Sequence, residues 1–168
     1  MNKKYLSAVV CGFAAAVLTI IPGLESIACC LFVPVAAGFA VGLYKKSNSE
    51  ISRIETGTGV LLGLLTGIFA ALIAGVFEII LTYITKSNEL IVAIPETEKM
   101  LKDMNLGPAA EEAVNLLKRM AYEIQSTGFS FFYSVIITIT NLITYTIFGM
   151  LGGVVGTIII NKRNASQT

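Results

Sequence analysis

Between Thr58 and Thr85 the chain carries a single charged residue, Glu78, and within that apolar run a tiny side chain recurs at every fourth position: Gly59, Gly63, Gly67, Ala71 and Gly75. A four-residue step returns to nearly the same side of an α-helix, so the segment has one face stripped of side chains, along which another backbone can lie close. A helix this long and this apolar is solvated by lipid.

The rest of the chain agrees. Hydrophobic residues make up 55% and charged residues only 14%, where soluble domains carry about 25% charged residues. Further apolar stretches run over 5–21, 27–44 and 129–160, alongside 58–85. About 20 residues cross the roughly 30 Å hydrocarbon layer, so the first two stretches just suffice and the last two exceed it. Four crossings are predicted. The surplus of the third and fourth is expected as tilt, or as helix projecting beyond the bilayer.

Pro22-Gly23-Leu24-Glu25-Ser26 is a turn-rich break that predicts a tight antiparallel hairpin of the first two spans. Lys3, Lys4, Lys45, Lys46, Arg53, Lys162 and Arg163 all fall on one side of a four-span arrangement, next to span ends. Lys86, Lys99, Lys102, Lys118 and Arg119 fall on the other, mostly far from a span and mixed with acidic residues. The positive-inside rule then puts both termini and the short loop in the cytoplasm and the long loop outside. Ser26-Ile27-Ala28-Cys29 has the look of a processing site. Ser26 stands where a lipoprotein junction has a large aliphatic residue, and another membrane-length run follows at once, so the segment reads as span.

The segment 88–128 reads as an organised helical cap. Pro95-Glu96 is a helix start, Gly107-Pro108 stops that helix and opens another, and Ala113, Leu117, Met120 and Ile124 recur at helical spacing. That apolar stripe is expected against the outer ends of the spans or the lipid headgroups, with a partner protein as the competing reading.

Small residues mark every span. The first has Ala8, Gly12 and Ala16, the second Gly38 and Gly42, and the fourth Gly149, Gly153 and the offset pair Gly152 and Gly156. The second and fourth spans both end in two glycines four apart followed by basic residues, a weak parallel repeat. Bundle packing within one chain and a self-association or pore-lining face are the two readings of these glycines. Pro34 is expected to bend the second span.

Glu78 is the acidic residue inside a span and hence a candidate site. On the fourth span Thr138, Asn141, Tyr145, Gly149, Gly152 and Gly156 share an arc of roughly 80°. Glu78 stands 21 residues above Gly57 and Asn141 stands 20 above Asn161, which sets both roughly 30 Å up, near the outer hydrocarbon boundary. Glu78 and Asn141 are therefore predicted to approach, with Thr82 and Tyr145 nearby, as a site for a proton, a cation or a small solute. The alternatives are a Glu78 that reaches the outer headgroups or makes a structural hydrogen bond.

The chain has no His and no Cys-x-x-Cys pair, so the usual metal and redox ligands are missing. Cys11, Cys29 and Cys30 read as small apolar fillers. There is no nucleophile with a base, no phosphate loop and no nucleic-acid patch. The expectation is a protein without cofactor or metal that is not an enzyme and binds no nucleic acid.

At Ala37-Gly38-Phe39-Ala40-Val41-Gly42-Leu43-Tyr44, Gly57-Thr58-Gly59-Val60-Leu61-Leu62-Gly63 and Gly152-Gly153-Val154-Val155-Gly156 the chain resembles small prokaryotic four-span membrane proteins with glycine-zipper spans, classed as domains of unknown function. The resemblance covers the spans and not the 86–128 insert. It implies a bacterial or archaeal inner membrane, four helices and no assigned activity.

Together these readings predict an all-α fold, a four-helix integral membrane bundle forming a single domain over 1–168, with an extracytoplasmic helical insert between spans three and four. The expected function is structural or accessory, through glycine-mediated helix contacts. The competing function is a small transporter or an oligomeric channel subunit. The expected partners are the bilayer and either further copies of the chain or another membrane protein.

Overall fold

The computed structural model describes residues 3–19, 21, 25–48, 50, 53–103 and 107–165. Among these residues the chain is helical throughout, with no strand: α1 (Lys3–Thr19), α2 (Glu25–Ser47), α3 (Thr56–Thr85), α4 (Glu89–Asp103), α5 (Pro108–Thr127) and α6 (Phe131–Ala165). Three stretches are long and apolar enough to cross a membrane: Cys29–Ser47, Thr56–Thr85 and Phe131–Asn164. The first of the expected crossings differs. α1 has 17 residues and at 1.5 Å per residue is about 25 Å long, short of the roughly 30 Å layer. Of the break expected over Pro22–Ser26, residues 22–24 lie outside the described residues, and Glu25 and Ser26 already belong to α2.

By its contacts the chain divides into two compact units. One comprises Met1–Val76 and Thr138–Thr168, the other Phe77–Ile137. α3 and α6 are 30 and 35 residues long, well beyond membrane length. Their surplus turns therefore belong with α4 and α5 in the second unit.

The first unit is held by backbone approach. α3 and α6 run antiparallel, each step of four up α3 matched by a step of four down α6: Gly59 faces Gly153 and Thr157, Gly63 faces Gly149 and Gly153, and Gly67 faces Tyr145 and Thr146. A methyl group on Gly63 would lie 2.8 Å from the carbonyl carbon of Gly149, and one on Gly67 would lie 2.9 Å from Thr146 Cα. Hydrogen side chains at these α3 positions permit such proximity. α2 and α6 run parallel in the same four-step rhythm, with Pro34 against Gly152, Gly38 against Gly156 and Gly42 against Ile160. α1 joins through Gly12, which sits against Thr66 and Ala70 of α3. The Lys4 ammonium lies 5.6 Å from the Tyr44 ring centroid, so the start of α1 lies beside the end of α2 and the two are antiparallel.

The interior is filled with small side chains: Ala15, Ala16, Ala70, Ala71 and Ala74 surround Val33 and Tyr145. A second cluster gathers Val41, Ile54 and Leu62. Two buried hydroxyls are satisfied within their own helices, Thr66 donating to the Leu62 carbonyl and Thr157 to that of Gly153, each at 2.8 Å. The large apolar side chains point outward, Phe39 at 67% exposure, Ile158 at 59% and Leu151 at 55%. A water-soluble domain puts such residues inside; an exterior of this kind is the surface of a membrane protein.

In the second unit, α4 starts earlier than expected. The sequence places its start at Pro95-Glu96, but the helix begins at Glu89, because Asn88 caps it: the Asn88 side-chain oxygen accepts the Ile91 N–H at 3.1 Å. Pro95 is carried inside the helix, where it removes one backbone bond, the one the Ile91 carbonyl would accept. α5 does open at Pro108, and it packs on α4. Its buried face comprises Ala110, Val114, Met120, Ala121 and Ile124. Met120 and Ile124 belong to the stripe expected from the sequence, whereas Ala113 and Leu117 are half-buried. α5 ends at Gly128, whose φ of 81° a side chain rarely adopts. Its N–H bonds the Ile124 carbonyl at 2.7 Å, and its Cα hydrogens face Tyr83, leaving no room for a Cβ. Ser130, 2% exposed, then donates to the Glu123 carboxylate at 2.7 Å and ties the start of α6 to α5.

Candidate functional site

Asn141 and Tyr145 lie one turn apart on α6 in the first unit, 8% and 5% exposed. Glu78 and Thr82 lie one turn apart on α3 in the second unit, Thr82 buried and Glu78 half-buried. The four residues predicted to form one site thus divide two and two between the compact units.

Within the first unit the stagger of α3 against α6 is fixed at their lower ends. The Asn161 side chain clasps the backbone of Ile54 on both sides, accepting the Ile54 N–H at 3.0 Å and donating to the Ile54 carbonyl at 2.8 Å. The sequence estimate of height levels Asn161 with Gly57; the clasp levels it with Ile54, three residues earlier. The same stagger carries through Gly63 with Gly149, Gly67 with Tyr145, and Gly75 with Thr138.

The glycines named from sequence divide by what they touch. Gly59, Gly63 and Gly67 on α3 and Gly149 and Gly153 on α6 form the antiparallel seam. Ala71 is buried in the central alanine cluster, and Gly75 has only Thr138 Oγ1 near, 3.7 Å from where a Cβ would stand. Gly152 and Gly156 face the other way, towards α2, where methyl groups on them would run into Pro34 and Gly38. Gly38 and Gly42 are more loosely faced, the nearest atoms lying 3.7 Å from a Cβ on Gly38 and 3.8 Å from one on Gly42.

That second seam builds a feature the sequence reading missed. Because α2 and α6 are parallel and meet through glycine, their outward side chains stand apart and leave a groove of about 550 Å³. Its floor is Gly38, Gly42, Gly152 and Gly156; Phe39, Leu151 and Val155 are among its walls. One charged residue lines it, Arg163, in the last turn of α6. α2 brings Lys45 and Lys46 in its own last turn, and the parallel register carries these to the same end. The paired glycines four apart, each followed by basic residues, were the available signal; that the two helices run side by side is the part no local pattern states.

The sulfurs of the adjacent Cys29 and Cys30 lie 3.6 Å apart. No curated protein and no solved structure matches the chain. A family model does match, over residues 3–162, so the chain belongs to the family described as Protein of unknown function (DUF4199).

Proposed function

We propose that this is a non-catalytic integral membrane protein of a prokaryotic inner membrane, with a structural or accessory role exercised through helix contacts. In this reading α1, α2, α3 and α6 all cross, both termini are cytoplasmic, and the α4–α5 hairpin lies outside. α1 crosses despite its length by local thinning of the bilayer and by its N-terminal lysines reaching the interface. The glycine faces of α3 and α6 serve packing within the chain.

One observation carries the reading. The small-residue face of α3, the surface best suited to self-association or to lining a pore, is already occupied at backbone contact by α6 of the same chain. Beside it a cluster of alanines with Val33 and Tyr145 fills the interior of the first unit.

Topology and assembly are tested together. In a background with Cys11, Cys29 and Cys30 replaced by alanine, single cysteines Ser87→Cys and Asn164→Cys are exposed on intact cells to a maleimide that cannot cross membranes. Labelling of Ser87→Cys alone supports the orientation, and labelling of Asn164→Cys overturns it. Mass measurement in native membrane patches is expected to give one chain, or one chain with a different protein. A ring of identical chains that passes ions when reconstituted would establish the channel alternative instead.

A further inference from the structure

We propose that the α2–α6 groove binds an anionic phospholipid, one acyl chain lying on the glycine floor and the phosphate held at the mouth by Arg163 with Lys45 and Lys46. The groove is of the right size and shape. Its volume of about 550 Å³ falls inside the roughly 300–1,000 Å³ of small-molecule sites. From Phe148 to Arg163 along α6 it extends about 22 Å at 1.5 Å per residue. That is more than one leaflet of the hydrocarbon core, half of the roughly 30 Å layer.

The charge distribution selects the occupant. Apart from Arg163 the groove is lined by apolar residues and glycines, so polarity is confined to one end, which is the layout of a lipid and not of a polar solute. A second copy of the chain is a poor fit. Two copies in one membrane share an orientation, so joining them through this groove would set the Lys45, Lys46, Lys162 and Arg163 clusters against one another at one depth. A basic pocket between helices at the cytoplasmic end, above an apolar slot, is a phospholipid headgroup site by its chemistry.

The proposal takes its depth and sidedness from the bilayer placement above, and the experiment separates the two. The full chain, purified in mild detergent, is mixed with phosphatidylglycerol or with phosphatidylcholine bearing the same acyl chains, and bound lipid is read by native mass spectrometry. One phosphatidylglycerol per chain should be retained in preference to phosphatidylcholine. Arg163→Gln should lower that preference about fivefold, and Lys45→Gln with Lys46→Gln should lower it further. Gly42→Leu should displace both lipids, because Gly42 lines the groove and a Cβ there meets nothing nearer than the tip of Ile160, at 3.8 Å. Thermal midpoints identify any variant that fails to fold; Arg163 and Lys46 are exposed, and Arg163→Gln keeps the test decisive if Gly42→Leu does not fold. Equal retention of the two lipids, an unchanged preference in Arg163→Gln, or a lipid-free dimer sealed through this face would overturn the lipid site. A chain that folds in water without detergent would overturn the membrane placement itself.

Discussion

Replacing Gly63 by alanine adds one methyl group at the tightest part of the α3–α6 seam. That methyl would overlap the Gly149 carbonyl oxygen and lie 2.8 Å from its carbon and 3.1 Å from Gly153 Cα. All three are backbone atoms of a long helix, so no side chain can turn aside. Restoring an ordinary contact of 3.4 Å to the carbonyl carbon alone requires α3 and α6 to part by about 0.6 Å, and clearing the nearer carbonyl oxygen requires more; a gap of roughly 0.5–1 Å already forfeits a quarter to a half of each dispersion contact it opens. The parting is felt at Gly59 and Gly67 as well, because the helices are rigid over one turn. Overpacking of this kind costs about 1–3 kcal/mol. Gly57 is the internal control: it stands on the same helix with nothing within 4 Å of a Cβ, so alanine there should be neutral or stabilise by up to about 1 kcal/mol through helix propensity. Equilibrium unfolding in mixed micelles, followed by helical circular dichroism, compares the two variants with the parent. If Gly63→Ala unfolds together with the parent, or Gly57→Ala falls as far as Gly63→Ala, backbone contact between α3 and α6 does not hold this protein together.

Three further outcomes follow from named contacts. Asn161→Ala removes both hydrogen bonds to the Ile54 backbone and should destabilise by about 1–3 kcal/mol in the same assay, whereas Asn161→Asp, which keeps only the acceptor, should lose part of that. Gly128→Ala meets both an unfavourable φ of 81° and the Tyr83 backbone, so hydrogen exchange at Phe129 and Ser130 should accelerate at least tenfold, corresponding to about 1.4 kcal/mol or more. Lys118→Ala breaks the 2.9 Å ion pair with Glu98 on the exposed α4–α5 hairpin. It should change stability by less than about 1 kcal/mol, an effect that 0.5 M salt in the parent, at roughly a 4 Å screening length, reproduces.

What the sequence makes legible is set by how local the physics is. The apolar runs locate α2, α3 and α6 because membrane-length hydrophobicity is a property of consecutive residues. Gly107-Pro108 locates α5 for the same reason, since a cap and a fixed φ act within one turn. α4 was displaced because two local signals compete, and the Asn88 cap starts a helix that tolerates Pro95 in its second turn. The stagger of α3 on α6 was not legible. It is set by Asn161 reaching a backbone 107 residues away, which no count along one span reveals. The groove was hidden in the same way, since Gly38 and Gly152 acquire meaning only when α2 and α6 lie parallel.

The clasp between Asn161 and Ile54 bears on how the molecule is made. A chain synthesised in order completes α3 long before residues 145–157, which cover its bare face, have left the ribosome. Throughout that interval the groove of α3 lies open to lipid or to whatever protein attends insertion, and the connection around Ile54 has no partner for its backbone. Closure is therefore a late event, and ribosomes stalled before Asn161 should hold an insertion intermediate whose Gly59, Gly63 and Gly67 face is still accessible to a photocrosslinker.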